Sequence, residues 1–231
     1  MRELSFISQK DRLFGIFLSL GFGITLAFTL LPAIHYFYLF LAQSLSYPSP
    51  WTSKFTEMAF FTVISAVFFF SIPKSSRAPQ PVIEPLRSLL PSFVLPIAIA
   101  FIFGIVLRNQ FLVSSQNTLQ DLFWFVVCIP WGEELLFRGW FWAVFKSLFK
   151  GHFFTLTNPL PAELVFSSLA FSLWHLQNYS QFSLSFLLFQ LLYTFLTGLW
   201  LGYLRWKTGK ITSSVLAHVL INLATSLMTL L

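Results

Sequence analysis

Apolar residues in this chain form long runs instead of alternating with polar ones. Mostly apolar stretches occupy about 13–41, 55–72, 89–107, 119–149, 162–176, 182–204 and 211 to the C-terminus. All but the fifth approach or exceed the roughly 20 residues that a helix needs to cross a bilayer, and the first is long enough to require tilt. Short segments rich in Pro, Ser, Asn, Lys and Arg separate the runs. The pattern predicts an all-α, polytopic transmembrane bundle of about seven spans, with room for one or two further helical segments. The first run is too long for the apolar core of a cleavable leader and lacks a small-residue cleavage site, so it reads as the first span. No internal repeat appears, and 1–231 reads as a single membrane domain.

Composition sharpens this reading. The chain is 56% hydrophobic and 10% charged, with a mean hydropathy of +0.76. A soluble domain carries about 25% charged residues. The 31 phenylalanines are expected to be lipid-facing bulk. The net charge of +6 is distributed between the apolar runs, a pattern of membrane orientation and not of nucleic-acid binding. With the N-terminus inside, one side of the membrane collects Arg2, Lys10, Arg12 and the basic residues around 74–87, 146–150 and 205–210. The other side holds only Lys54 and Arg108. That asymmetry predicts a cytoplasmic N-terminus. Cys128 is the single cysteine, which excludes an internal disulfide and a four-cysteine metal site.

The candidate chemistry lies inside the runs. Glu133, Glu134 and Arg138 are flanked by apolar residues on both sides, and ionisable groups at membrane depth mark function by default. Pro130 is expected to kink the helix just before the acids. Glu134 and Arg138 are four residues apart and can pair on one helical face. That pair also has a purely structural reading, as a buried ion pair that fixes packing. Glu133 points about 100° away and lacks that partner, so its desolvation is harder to explain structurally and it suits a general base. His175 follows Phe171 by one turn. His218 and Asn222 share a face, where they can serve as inter-helix hydrogen bonds or as donors to an oxyanion. His35 and His152 belong to no such constellation. At 1.5 Å rise per residue, Glu133 lies roughly 9 Å from the inner face of the hydrocarbon core and His218 about 10 Å from it. His175 is somewhat deeper. The candidates are therefore expected to meet in one cavity open to the cytoplasmic side, with the polar stretch 177–181 as part of its lining. A carboxylate with histidine can activate water. The same side chains (Glu133, His175 and His218) are also a ligand set for Zn²⁺ with water in an open position.

Glu133-Glu134-xxx-Arg138, Phe171-xxx-His175 and His218-xxx-Asn222, in this order, resemble the three-motif signature of the CPBP family. This family comprises the CAAX prenyl proteases and the bacteriocin-processing and self-immunity (Abi) proteins. Phe137-Arg138-Gly139 and the basic turn with Thr208-Gly209 are similar too. The resemblance covers 119–231, the expected catalytic core. It implies an intramembrane glutamate endopeptidase in which Glu133 and His175 activate water, His218 and Asn222 form the oxyanion hole, and Glu134 and Arg138 support the site. It also implies a metal-free mechanism and a peptide or protein substrate, prenylated in one branch, met within membrane lipid. Two other classes compete with this reading. One is a non-catalytic immunity or scaffolding protein that retains the motifs for packing. The other is a transporter, which the absence of inverted repeats and paired broken helices disfavours. No feature of the sequence bears on oligomeric state.

Overall fold

The computed structural model describes residues 8–25, 50–72, 84–110, 122–149, 160–180 and 182–230. The described residues form seven helical segments in the order expected. Helix α1 is Gln9–Thr25 and α2 is Pro50–Ser71. Helix α3 joins a turn at Leu86–Leu89, a 3₁₀ stretch at Leu90–Phe93 and the long piece Val94–Gln110. Helix α4 joins Trp124–Cys128, Ile129–Glu134, Leu135–Phe141 and Trp142–Leu148 end to end, the first and third of them π-helical. Helix α5 is Ala162–Trp174, continued by a 3₁₀ turn at His175–Ser180. Helices α6 and α7 are Leu184–Thr208 and Ile211–Leu230. The second half of the first expected span lies outside the described residues, as do His35 and His152.

Local chemistry sets the ends. Helix α2 begins at Pro50, five residues before the expected start, because a proline in the first turn sacrifices no hydrogen bond. Pro91 tightens the start of α3 into 3₁₀ geometry. The Ser183 side chain accepts from the Phe186 N–H and caps α6. Gly209 closes α6 at φ 70°, a left-handed conformation that favours glycine, and its N–H bonds the Arg205 carbonyl at 2.8 Å. The sharp turn between α6 and α7 is thus as expected, but Arg205 is not part of it. Arg205 lies within α6, buried, with its guanidinium 5.1 Å from the Trp142 ring.

Helix α4 sits centrally, against α2, α5 and α7; α5 also packs on α1 and α6, and α3 on α7. Segments 86–106, 184–208 and 211–228 are long and apolar enough to cross a membrane. Helix α6 shows how the bundle is organised. Leu184, Leu188, Leu192 and Leu196 form an exposed stripe at four-residue spacing. Gln190, Thr194, Thr197 and Gly198 face inward. This inverts the soluble pattern and fits an apolar surround. Several buried hydroxyls are satisfied within their own helix: Ser168 bonds the Leu164 carbonyl at 2.6 Å, and Thr194 bonds that of Gln190 at 2.8 Å. Ser172 bonds across to the Leu191 carbonyl at 2.6 Å and ties α5 to α6. Small residues allow close approach between α3 and α7, where a Cβ on Gly104 would stand 2.5 Å from the Thr225 carbonyl oxygen.

The phenylalanines correct one expectation. Many are core residues and not lipid-facing bulk. Phe137, Phe141, Phe145 and Phe149 run along one face of α4 with their rings stacked in sequence at 5.5, 5.8 and 6.2 Å between centroids. Phe166 and Phe171 of α5 pack against this column. Aromatic rings bury large area and interlock edge to face, which helps to hold α4 and α5 together where lipid supplies no hydrophobic drive.

Candidate active site

The acidic motif stands at the middle of α4, between its two π-helical stretches. Such widened turns are rare and concentrate at functional sites. Glu134 and Arg138 are both 0% exposed, and Arg138 Nη1 donates to Glu134 Oε1 at 3.0 Å. Arg138 Nη2 donates to the Gly198 carbonyl of α6 at 3.0 Å. Its guanidinium lies 4.3 Å from the Phe171 ring centroid. A Cβ on residue 198 would stand 3.2 Å from Nη2, so the absence of a side chain there lets the guanidinium reach the α6 backbone. The Glu134–Arg138 pair therefore locks α4 to α5 and α6.

The same Glu134 oxygen reaches α7, with His218 Nδ1 2.9 Å from Oε1. A carboxylate only accepts, so Nδ1 carries the proton and the ring is held in one orientation. That orientation turns His218 Nε2 toward Glu133, 3.6 Å from Oε2. The other Glu133 oxygen accepts from Trp174 Nε1 at 3.2 Å. The Trp174 indole is stacked on Phe61 of α2 at 5.3 Å and stands edge-on to Phe137 of α4 at 6.2 Å. Glu133 thus has one donor directed at it from α5 and an imidazole nitrogen facing it from α7, while the ion pair of Arg138 is made with Glu134.

His175 and Asn222 lie at the margin of this cluster. His175 Nδ1 faces the Phe171 carbonyl at 3.0 Å. A carbonyl also only accepts, so Nδ1 is the protonated nitrogen and Nε2 is left with a lone pair. The His175 and His218 rings both stand edge-on to Phe171, at 5.1 and 5.7 Å. No hydrogen bond joins His175 to Glu133 among the described residues; the histidine in contact with that acid is His218. Asn222 Nδ2 donates to the Phe125 carbonyl of α4 at 2.9 Å. In the polar stretch expected to line a cavity, Asn178 bonds Gln190 at 3.2 Å. Among the described residues no three His, Cys, Asp or Glu side chains are gathered as a metal-ligand cluster. The His175 nitrogen turned to its own helix is Nδ1, so Nε2 is the one left available.

Sequence reasoning missed Trp174 and Gly198. Trp174 precedes the histidine of the second motif and reads as apolar filler, although its N–H is a donor that a buried position obliges to find a partner. Gly198 contributes only a carbonyl, which leaves no side-chain signal. Phe171 was legible as a motif residue, but its service as the face beneath Arg138 was not.

Residues 115–224 match the family described as type II CAAX prenyl endopeptidase Rce1-like. The matched segment contains all three motifs and none of α1 to α3. Neither the curated proteins nor the solved structures yielded a match.

Proposed function

We propose, from its membership of the CAAX-protease (CPBP) family over residues 115–224, that this integral membrane protein hydrolyses peptide bonds with water activated by Glu133. The observation that carries this reading is the contrast between the two acids. One Glu134 oxygen, Oε1, takes both Arg138 and His218, whereas Glu133 is held by the Trp174 N–H and faced by His218 Nε2.

In this mechanism Glu133 takes a proton from water while the water oxygen bonds to the scissile carbonyl carbon. His175, with its Nε2 lone pair, orients that water. The oxyanion that forms receives a hydrogen bond from the second amide hydrogen of Asn222 and, when Nε2 carries a proton as well as Nδ1, one from His218. Glu133 then returns the proton to the amide nitrogen as the C–N bond breaks, so no net proton is consumed. Glu134 and Arg138 hold His218 and the helices in register. The donor arrangement calls for no metal. The substrate class is a peptide or protein segment at the membrane. A lipidated C-terminal peptide of the CAAX type is the first to test, and peptide or bacteriocin processing the second. The basic bias of alternate segments supports a cytoplasmic N-terminus and a site that opens to that side.

The test is cleavage in nanodiscs of a panel of prenylated and unprenylated peptides, with wild type beside Glu133→Gln and with and without chelator. Cleavage by wild type alone, indifferent to chelator, supports the reading and ranks the substrates. Chelator-sensitive cleavage restores the zinc alternative. Retained cleavage by Glu133→Gln overturns the assignment of the base.

A further inference from the structure

We infer that Pro130 is a positioning residue for Asn222, acting through the backbone carbonyl of Phe125. In the π-helical stretch before the acids, the Ile129 N–H bonds the Trp124 carbonyl, one residue further back than in an α-helix. The next residue is Pro130, which has no N–H. The Phe125 carbonyl, which would have received one of these two donors, is passed over by the helix. A carbonyl left without a donor in a low-dielectric surround is costly, and it draws the nearest donor available. That donor is Asn222 Nδ2 of α7, at 2.9 Å.

The consequence is functional. Asn222 stands one helical turn after His218, on the same face of α7. An amide nitrogen carries two hydrogens. With one committed to Phe125, the side chain has a fixed rotamer and its second hydrogen is set in direction before any substrate arrives. Preorganised donors of this kind stabilise developing charge without reorganisation. Pro130 creates the acceptor that fixes an oxyanion donor on a different helix. This inference rests on the role given to Asn222 under the proposed function, but its central contact is readable without substrate.

The experiment is a double-mutant cycle on the full chain in nanodiscs, with wild type, P130A, N222A and the double variant. Thermal unfolding and peptide cleavage are both measured. The P130A substitution brings an N–H that the Phe125 carbonyl can take, so Asn222 is no longer needed there. N222A is expected to lower the unfolding midpoint by roughly 2–6 °C when residue 130 is proline, and by less than about 1 °C when it is alanine. P130A alone is expected to lower kcat about tenfold or more with KM unchanged, and to add nothing on top of N222A. If Pro130 acts instead by aiming Glu133, P130A costs the same factor with or without Asn222, and the inference is overturned. Equal midpoint losses from N222A in both backgrounds overturn it as well. Pro130→Gly supplies the same N–H and takes the place of P130A if that variant folds poorly. Retained cleavage by Glu133→Gln sinks the proposed mechanism while leaving the stability cycle to be read on its own.

Discussion

Glu133 and Glu134 are adjacent in α4, yet the regions around them are built on different terms. Around Glu134 the structure is closed. Arg138, His218 and the Gly198 carbonyl take up its surroundings, and both members of the ion pair are 0% exposed. Around Glu133 the contacts are longer and include no guanidinium: one indole N–H at 3.2 Å, and one imidazole nitrogen at 3.6 Å. A buried ion pair gains little net stability but is costly to break, because removal of one partner strands the other. A buried acid with so few donors is poor at holding helices together and well placed to accept a proton. On the proposed mechanism, chemistry and support are separated onto neighbouring residues by the roughly 100° turn of the helix.

That separation can be broken experimentally. The largest effect is expected at Glu133: Glu133→Gln should lower kcat roughly 10²–10⁴-fold. The unfolding midpoint should move by no more than a few degrees, since the amide oxygen can still accept from Trp174. A comparable loss of fold stability would show that the Glu133 region is structural after all. Next comes Glu134→Ala, which strands Arg138 and should cost about 3–5 kcal/mol of stability, seen as a lowered unfolding midpoint or poor recovery in detergent. Replacement of Glu134 and Arg138 together by methionine should recover most of that loss while activity remains impaired, because His218 loses its anchor. If the double replacement is as unstable as Glu134→Ala, the closed region is held by more than the pair.

Smaller effects sharpen the contrast. Gly198→Ala brings a Cβ to 3.2 Å from Arg138 Nη2 and 3.1 Å from Ser168 Cβ. It should cost about 1–3 kcal/mol through overpacking on the Glu134 side, measured as a midpoint shift. Trp174→Phe keeps the ring between Phe61 and Phe137 but removes the N–H. It should reduce kcat about tenfold with KM unchanged, consistent with loss of one charge-assisted hydrogen bond of about 1.5–3 kcal/mol. A rise in KM of the same size would instead place Trp174 in substrate binding. The least effect is expected at Leu188→Ala on the exposed stripe of α6, within about 0.5 kcal/mol and with full activity. A larger cost there would mean that this stripe packs on protein and not on lipid.

The N-terminal helices offer a further contrast. Helix α2 delivers Phe61 against Trp174, and α3 packs on the α7 that carries His218 and Asn222. Neither holds a motif residue. Their contribution is shape, and shape was the part of the site least legible beforehand. The motif helices were readable because ionisable residues in an apolar run stand out at once. The supporting aromatic frame was not, because in a chain with 31 phenylalanines a core ring and a lipid-facing ring look alike.

The sequence alone determined that this chain is an all-helical membrane bundle, since long apolar runs admit few other solutions in lipid. It also determined which of the two glutamates could pair with Arg138, because an interval of four residues is a property of the helix itself. Which histidine meets Glu133 was decided only by the tertiary structure. Local spacing does not relate α4 to α5 or α7, and the outcome depended on the Glu134–His218 bond turning one ring toward that acid while the Nδ1 of the other is bonded to the Phe171 carbonyl. The partner of the carbonyl freed by Pro130 was decided in the same way. A missing N–H is visible in the sequence, but the donor that answers it lies 97 residues away, on a helix that only packing brings alongside.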